Sequence, residues 1–282
     1  MELLNVSSLS KNYESFSLKN CSFRLEEGSI MGFIGRNGAG KTTTMKAMLN
    51  LIKRDGGEVT FNGMNFYEHE NECKQNIGFI LGEFNCYTSS KLKTITSVMK
   101  RFYKEWDEDA YRGYLKKFDL DENKRVKELS AGMRVKYALS LALSHNAKLL
   151  VLDEPTSGLD PISRDDLLDV LRSLIEDGTR SVLFSTHIIS DLEKCADYIT
   201  YIKDGSIYDT DDIESFRAKY RLVSGEIETL DKFKHLLIGY KTHAFGFVGL
   251  IKAEDEAEFA GFRIAPADLE SIMIYIEQEN ER

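Results

Sequence analysis

Apolar and polar residues alternate over residues 2–9 (ELLNVSSL) and 22–27 (SFRLEE), the period-two pattern of strands with one buried face. A continuous apolar run follows at 29–35 (SIMGFIG), which fits a strand buried on both sides. Met45, Met48, Leu49 and Ile52 then fall at i, i+3, i+4 and i+7, predicting one face of a helix that begins near Gly40. Residues 55–63 (DGGEVTFNG) set turn formers around a short alternating strand. From 85 to about 146 the pattern is mostly helical, with charged and aromatic residues mixed through it, and it reads as a helical insertion between sheet strands. Strands are expected again at 148–153 (KLLVLD), 181–186 (SVLFST) and 197–205 (DYITYIKDG), with a helix over 162–176 between the first two. Strands alternating with helices predict an α/β fold with a mostly parallel sheet, beside a smaller antiparallel β part formed by the N-terminal strands.

Past Thr210 the pattern changes. A short helix is expected over 211–220, strands over 221–230 and 243–253, and a closing helix over 267–278. The expected division is one domain over 1–210 and a small α+β extension over 211–282.

Composition narrows the function without choosing it. Of 282 residues, 42% are hydrophobic and 29% charged, the balance of an ordinary soluble globular protein. The net charge of −9 argues against a nucleic-acid partner, which needs a concentrated basic face. No apolar run approaches the roughly 18 residues that would span a bilayer, and the first residues lack the basic and apolar regions of a secretory signal. A cytoplasmic protein is expected. The cysteines (Cys21, Cys73, Cys86, Cys195) form no CxxC pair and no metal-ligand spacing, so buried reduced thiols are expected.

The candidate chemistry sits at the strand ends. GRNGAGKTT, residues 35–43, matches G-x-x-x-x-G-K-[ST] with Gly35, Gly40, Lys41 and Thr42 in register, between a buried strand and an amphipathic helix. There, backbone N–H groups of Asn37, Gly38, Ala39 and the residues after them, Thr43 included, can cradle phosphates at a helix N-terminus. Lys41 would reach the β- and γ-phosphates, and the Thr42 hydroxyl would help hold Mg²⁺. KLLVLDE puts Asp153 and Glu154 at the end of another buried strand, on the edge where parallel sheets bind ligands. Asp153 suits the metal side, and Glu154 suits a base or orienting group for the attacking water. His187 ends the next strand at the same edge, within reach of the γ-phosphate and of Glu154.

GRNGAGKTT, LSAGM (129–133), VLDEPTSGLD (151–160) and STH (185–187), in this order, resemble the ATPase subunit of ATP-binding-cassette transporters. The resemblance covers about residues 2–210 and implies a P-loop NTPase core that binds ATP and Mg²⁺. It also implies a second ATPase subunit packed head to tail, with Ser130, Ala131 and Gly132 acting in trans on the partner's ATP. Ser130 offers a hydroxyl, the small residues allow close approach, and the following helix points free N–H groups at the phosphate. Tyr13 resembles the aromatic that stacks on adenine, and Ser157–Asp160 resembles the loop that touches the opposing site. Glu83 in NIGFILGE stands where the family usually has Gln, and a carboxylate there can still approach the metal but cannot donate as an amide does. The signature also ends in Met133 instead of the usual Gln. The resemblance further implies a separate membrane-spanning transporter subunit, with the chain peripheral on the inner face of the cell membrane. The C-terminal extension is more similar to exporter subunits than to sugar importers, which gives drug or peptide export as the expected direction. A soluble cassette ATPase acting on a ribosome or another cytosolic assembly is the alternative.

Overall fold

In the computed structural model, which describes residues 1–82 and 87–278, the alternating N-terminal segments form strands β1 (Glu2–Asn12) and β2 (Ser17–Glu26), paired antiparallel. The apolar run becomes β3 (Ile30–Ile34), with all five residues buried. Helix α1 (Lys41–Met48) follows the phosphate loop. It ends earlier than the apolar spacing suggests, because Asn50 takes a left-handed conformation (φ 54°) and Ile52 joins the core from the connection beyond. Strands β4 (Gly56–Phe61) and β5 (Met64–Asn65) complete a four-stranded antiparallel sheet in the order β2-β1-β4-β5.

Helix α2 (Glu70–Gln75) leads into β6 (Ile77–Leu81), a strand not among those expected from the sequence. The insertion then supplies α3 (Leu92–Met99), α4 (Glu108–Lys117) and α5 (Ala131–Leu143). The second half of the unit alternates as expected through β7 (Leu149–Asp153), α6 (Pro161–Ile175), β8 (Ser181–Thr186), α7 (Ile189–Cys195), β9 (Tyr198–Lys203) and β10 (Ser206–Asp212). A six-stranded sheet results, ordered β10-β9-β3-β8-β7-β6, and β9, β3, β8, β7 and β6 are parallel neighbours in turn. One core joins its face to α1 and the antiparallel sheet, through Phe33, Val151 and Leu183 on one side, Met45 and Met48 between, and Leu4, Phe23 and Val59 on the other.

The chain divides into two compact units, with the first ending at Thr210. The second contains α8 (Ile213–Ala218), β11 (Tyr220–Gly225), α9 (Leu230–Phe233), β12 (Gly239–His243), β13 (Gly246–Lys252), β14 (Arg263–Pro266) and α10 (Leu269–Gln278). Its antiparallel sheet runs β12-β13-β11-β14 over a core of Val223, Phe247, Ile251 and Phe259, and α10 packs on β12 and β13. The expected strand over 221–230 is shorter, because the chain turns helical at α9.

Cys21, Cys73 and Cys195 are buried free thiols. Burial pushes Cys21 up to about 11 and Cys195 up to about 12, so both stay protonated and unreactive at neutral pH.

His145, just past α5, carries a testable pH dependence. Its ring stacks on Tyr103 at 3.7 Å and its Nδ1 lies 3.1 Å from the Gln75 carbonyl, which a protonated Nδ1 satisfies. Burial holds its pKa below the ordinary 6.5. Below 6.5 the unfolded chain therefore takes up a proton that the folded chain refuses, so this contribution is complete above 6.5 and is lost as pH falls toward the folded value. Urea midpoints should drop on acidification through that window, and His145→Phe, which keeps a stacked ring without a titrating group, should flatten the slope. An unchanged slope would remove His145 as its source.

Candidate nucleotide-binding and hydrolysis site

Parallel pairing brings the candidate residues together. Ile34 pairs with Thr186 and Asp153 with Ser185, so β3, β8 and β7 end at one edge. The phosphate loop, His187 and the Asp153–Glu154 pair emerge there side by side. Adjacent strands lie about 4.8 Å apart, which puts Asp153 within reach of the first turn of α1 across the intervening β8.

The loop's glycines answer specific constraints. A Cβ on Gly35 would sit 2.3 Å from the carbonyl oxygen of Ile202, and Gly40 caps α1 at φ 115°. The loop folds back on Lys41, whose Nζ donates to the carbonyls of Gly35 (2.8 Å) and Arg36 (3.3 Å). Ala39 is buried, and its carbonyl accepts from Gly205 N (3.0 Å), fixing the loop to the turn after β9.

A cleft of about 490 Å³ opens over the loop, lined by Asn37, Gly38, Gly40, Lys41, Thr42 and Thr43, with Arg36, Ser15, Phe16 and Glu154. Two of these, Ser15 and Phe16, belong to no motif in the sequence. Tyr13 is not part of the lining: it is half exposed, with Lys11 over its ring at 5.3 Å. A tight turn, Tyr13 N to Phe16 O at 2.8 Å, places Phe16 at the cleft.

Thr42 Oγ1 donates to Asp153 Oδ2 (2.7 Å), and Ser185 Oγ donates to Asp153 Oδ1 (2.6 Å). The same Ser185 oxygen accepts the Glu154 N–H (2.9 Å). Ser185 thus holds the main chain of one carboxylate residue and the side chain of the other, a role that only the folded pairing reveals. Glu154 itself has φ 52°, a left-handed conformation that costs a residue with a Cβ of order 1 kcal/mol or more. The turn carries its carboxylate back over the loop, with Oε1 3.1 Å from Lys41 Nζ and Oε2 2.7 Å from His187 Nδ1. An ionised carboxylate only accepts, so His187 carries its proton on Nδ1 in this pairing. Oε1 is buried and accepts no hydrogen bond among the described residues.

Glu154 lines the same cleft as Lys41 and Thr42, with Oε1 paired to the Lys41 ammonium. The donor set also suits Mg²⁺, which takes one or two carboxylates or hydroxyls and completes its shell with water and phosphate oxygens. Thr42 and Asp153 meet that requirement. Glu83, the third residue assigned to the metal by the resemblance, lies outside the described residues. No group of three or more His, Cys, Asp or Glu side chains able to hold a metal occurs among the described residues.

Ser130, Ala131 and Gly132 lie at the start of α5, where Ala131 lines a second pocket together with Asp153, Glu154 and Ser157. Ser130 caps α5, its Oγ accepting the Met133 N–H (3.2 Å), and both Ser130 and Ala131 are exposed. None of the three lines the phosphate-loop cleft of its own chain. In the SGLD loop, Asp160 caps α6 by accepting from Ile162 N and Ser163 N, and the Ser163 hydroxyl holds its carboxyl below the usual range.

Fold and site together define a P-loop ATPase of the ATP-binding-cassette class. The ABC transporter family model matches residues 18–157. The bacitracin transport ATP-binding protein BcrA of Bacillus licheniformis is 31% identical over 73% of this chain and 68% of its own length. The lantibiotic transport ATP-binding protein SrtF of Streptococcus pyogenes is 31% identical over 73% of this chain and 89% of its own. The solved ATP-binding subunit of an ABC transporter superposes with a TM-score of 0.69 at 25% identity, covering 76% of this chain and 92% of that one. The chain belongs to the ABC transporter family, as an ATP-binding, ATP-hydrolysing subunit.

Proposed function

We propose that the chain powers peptide export, working as a dimer on the cytoplasmic face of the cell membrane beneath a separate membrane-spanning subunit. The observation that carries the dimeric reading is the position of Ser130, exposed at the start of α5 and absent from the lining of the phosphate-loop cleft of its own chain. A second subunit packed head to tail would give each signature an ATP to close on. Among the described residues no helix is long and apolar enough to cross a membrane. Two relatives at 31% identity, BcrA and SrtF, are named for bacitracin and lantibiotic transport, which supports peptides as cargo over a ribosomal role.

At the site, Lys41 and the loop N–H groups bind the β- and γ-phosphates. Thr42 and Asp153 would hold Mg²⁺, which would offset the charge of the phosphate oxygens. Glu154 Oε1 accepts a hydrogen bond from the water in line with the γ-phosphorus and takes its proton as the new P–O bond forms and the bond to ADP breaks. His187, held at Glu154 Oε2, keeps the carboxylate turned toward the water. Ser130, Ala131 and Gly132 of the second subunit bring a hydroxyl and a helix N-terminus to the γ-phosphate.

The cargo assignment is tested in the native host. Deleting the chain should lower tolerance to membrane-active peptide antibiotics several-fold, and the wild-type gene, but not Glu154→Gln, should restore it. Unchanged tolerance across a panel of such peptides would contradict export of this class.

A further inference from the structure

Beyond the nucleotide cleft, one fully buried carboxylate joins the two segments that carry the reacting side chains. Asp191 lies in α7, four residues past His187, with no solvent exposure. Its Oδ2 accepts from Thr156 Oγ1 (2.6 Å), two residues beyond Glu154, and from Thr186 Oγ1 (3.4 Å), immediately before His187. Its Oδ1 pairs with Arg164 Nε on α6, and Arg164 Nη2 also donates to Ser190 Oγ (2.7 Å). Thr186 Oγ1 in turn accepts the Ile188 N–H (3.0 Å), so the backbone on both sides of His187 is tied to one anchor. Thr156 and Thr186 are themselves buried.

We propose that Asp191 is a positioning residue for hydrolysis, fixing the loop that bears Glu154 against the strand end that bears His187. This role rests on Glu154 and His187 acting on the water as proposed for hydrolysis. Glu154 sits in a left-handed conformation at the start of a loop that holds its carboxylate 2.7 Å from His187. Ser185 fixes the beginning of that loop through the Glu154 N–H, and Thr156 fixes the far side through Asp191. The Arg164 guanidinium occupies Asp191 Oδ1, which leaves Oδ2 to accept from the two threonine hydroxyls. Arg164 also couples this anchor to α6, which begins just after the SGLD loop.

Thr156→Val is the sharpest variant, because it keeps the side-chain shape and leaves the Asp191–Arg164 pair intact. We expect kcat for Mg-ATP to fall about 10- to 100-fold, the effect of a small misplacement of a reacting group, with KM and the affinity for a fluorescent ATP analogue within several-fold of wild type. The thermal midpoint should stay near wild type, and Thr156→Ser, which restores the hydroxyl, should recover most of kcat. Asp191→Asn should show a larger loss of kcat in whatever fraction folds. Wild-type kcat in folded Thr156→Val would overturn the proposal. So would a Thr156→Ser as slow as Thr156→Val, or a loss of kcat matched by equal losses of ATP affinity and folded protein. Glu154→Gln, measured in parallel, separates the two levels: if it hydrolyses ATP normally the site reading fails, and if it alone is inactive while Thr156→Val is normal, only the role of Asp191 fails.

Discussion

Glu154→Gln is expected to slow ATP hydrolysis by two or more orders of magnitude while ATP still binds. Glutamine has the same length and branching and meets the same backbone penalty at φ 52°, so the variant isolates the carboxylate from the turn that presents it. What it removes is the acceptor at Oε1 that can take a proton, and the negative charge 3.1 Å from Lys41. Losing that charge lowers repulsion toward the nucleotide phosphates and leaves Lys41 to them, so affinity should hold or rise. ATP that binds and is not cleaved should trap a dimer, visible as a shift in size-exclusion chromatography with Mg-ATP. Turnover near wild type would take Glu154 out of the role.

How far the sequence carried depends on which physical constraint wrote each feature. The phosphate loop was legible because its requirements are local: glycines where a Cβ would strike Ile202, a lysine, and a hydroxyl one residue later. Strands β3, β7 and β8 were legible because a strand buried on both faces carries a continuous apolar stretch, here IMGFI, LLVL and VLF. At β6 that logic weakens. Ile77–Leu81 lies at the sheet edge and carries an apolar run like that of β3, but its Phe79 is exposed and it sits against a segment that reads as helical, so the sequence does not assign the run to the sheet. The α1 spacing ran on to Ile52 because apolar periodicity reports a buried face and does not see the left-handed Asn50 that stops the helix. Partners distant in sequence were invisible by construction. Ser185 bridges to Asp153 and Glu154 only once β7 and β8 pair, and Asp191 meets Thr156 and Arg164 only once α6 and α7 pack. Phe16 is a further example: a turn closed by Tyr13 N and Phe16 O brings its ring to the cleft over the phosphate loop, which no motif in the sequence marks.

The central claim is that the catalytic site is completed by another subunit's signature, and mixed dimers test it directly. Lys41→Ala removes the cation that binds phosphate, and Ser130→Arg puts a bulky side chain where close approach is needed. Each variant is expected to be inactive as its own homodimer. In a mixed dimer the intact phosphate loop of the Ser130→Arg subunit faces the intact signature of the Lys41→Ala subunit, so one site is whole and the other carries both lesions. Wild type paired with a Lys41→Ala, Ser130→Arg double mutant is the control, because a trans arrangement leaves one lesion in each of its sites while a cis arrangement leaves one site untouched. The account expects hydrolysis to return when the two single variants are mixed and to be absent in the control. Activity in the control with none in the mixed singles would contradict it.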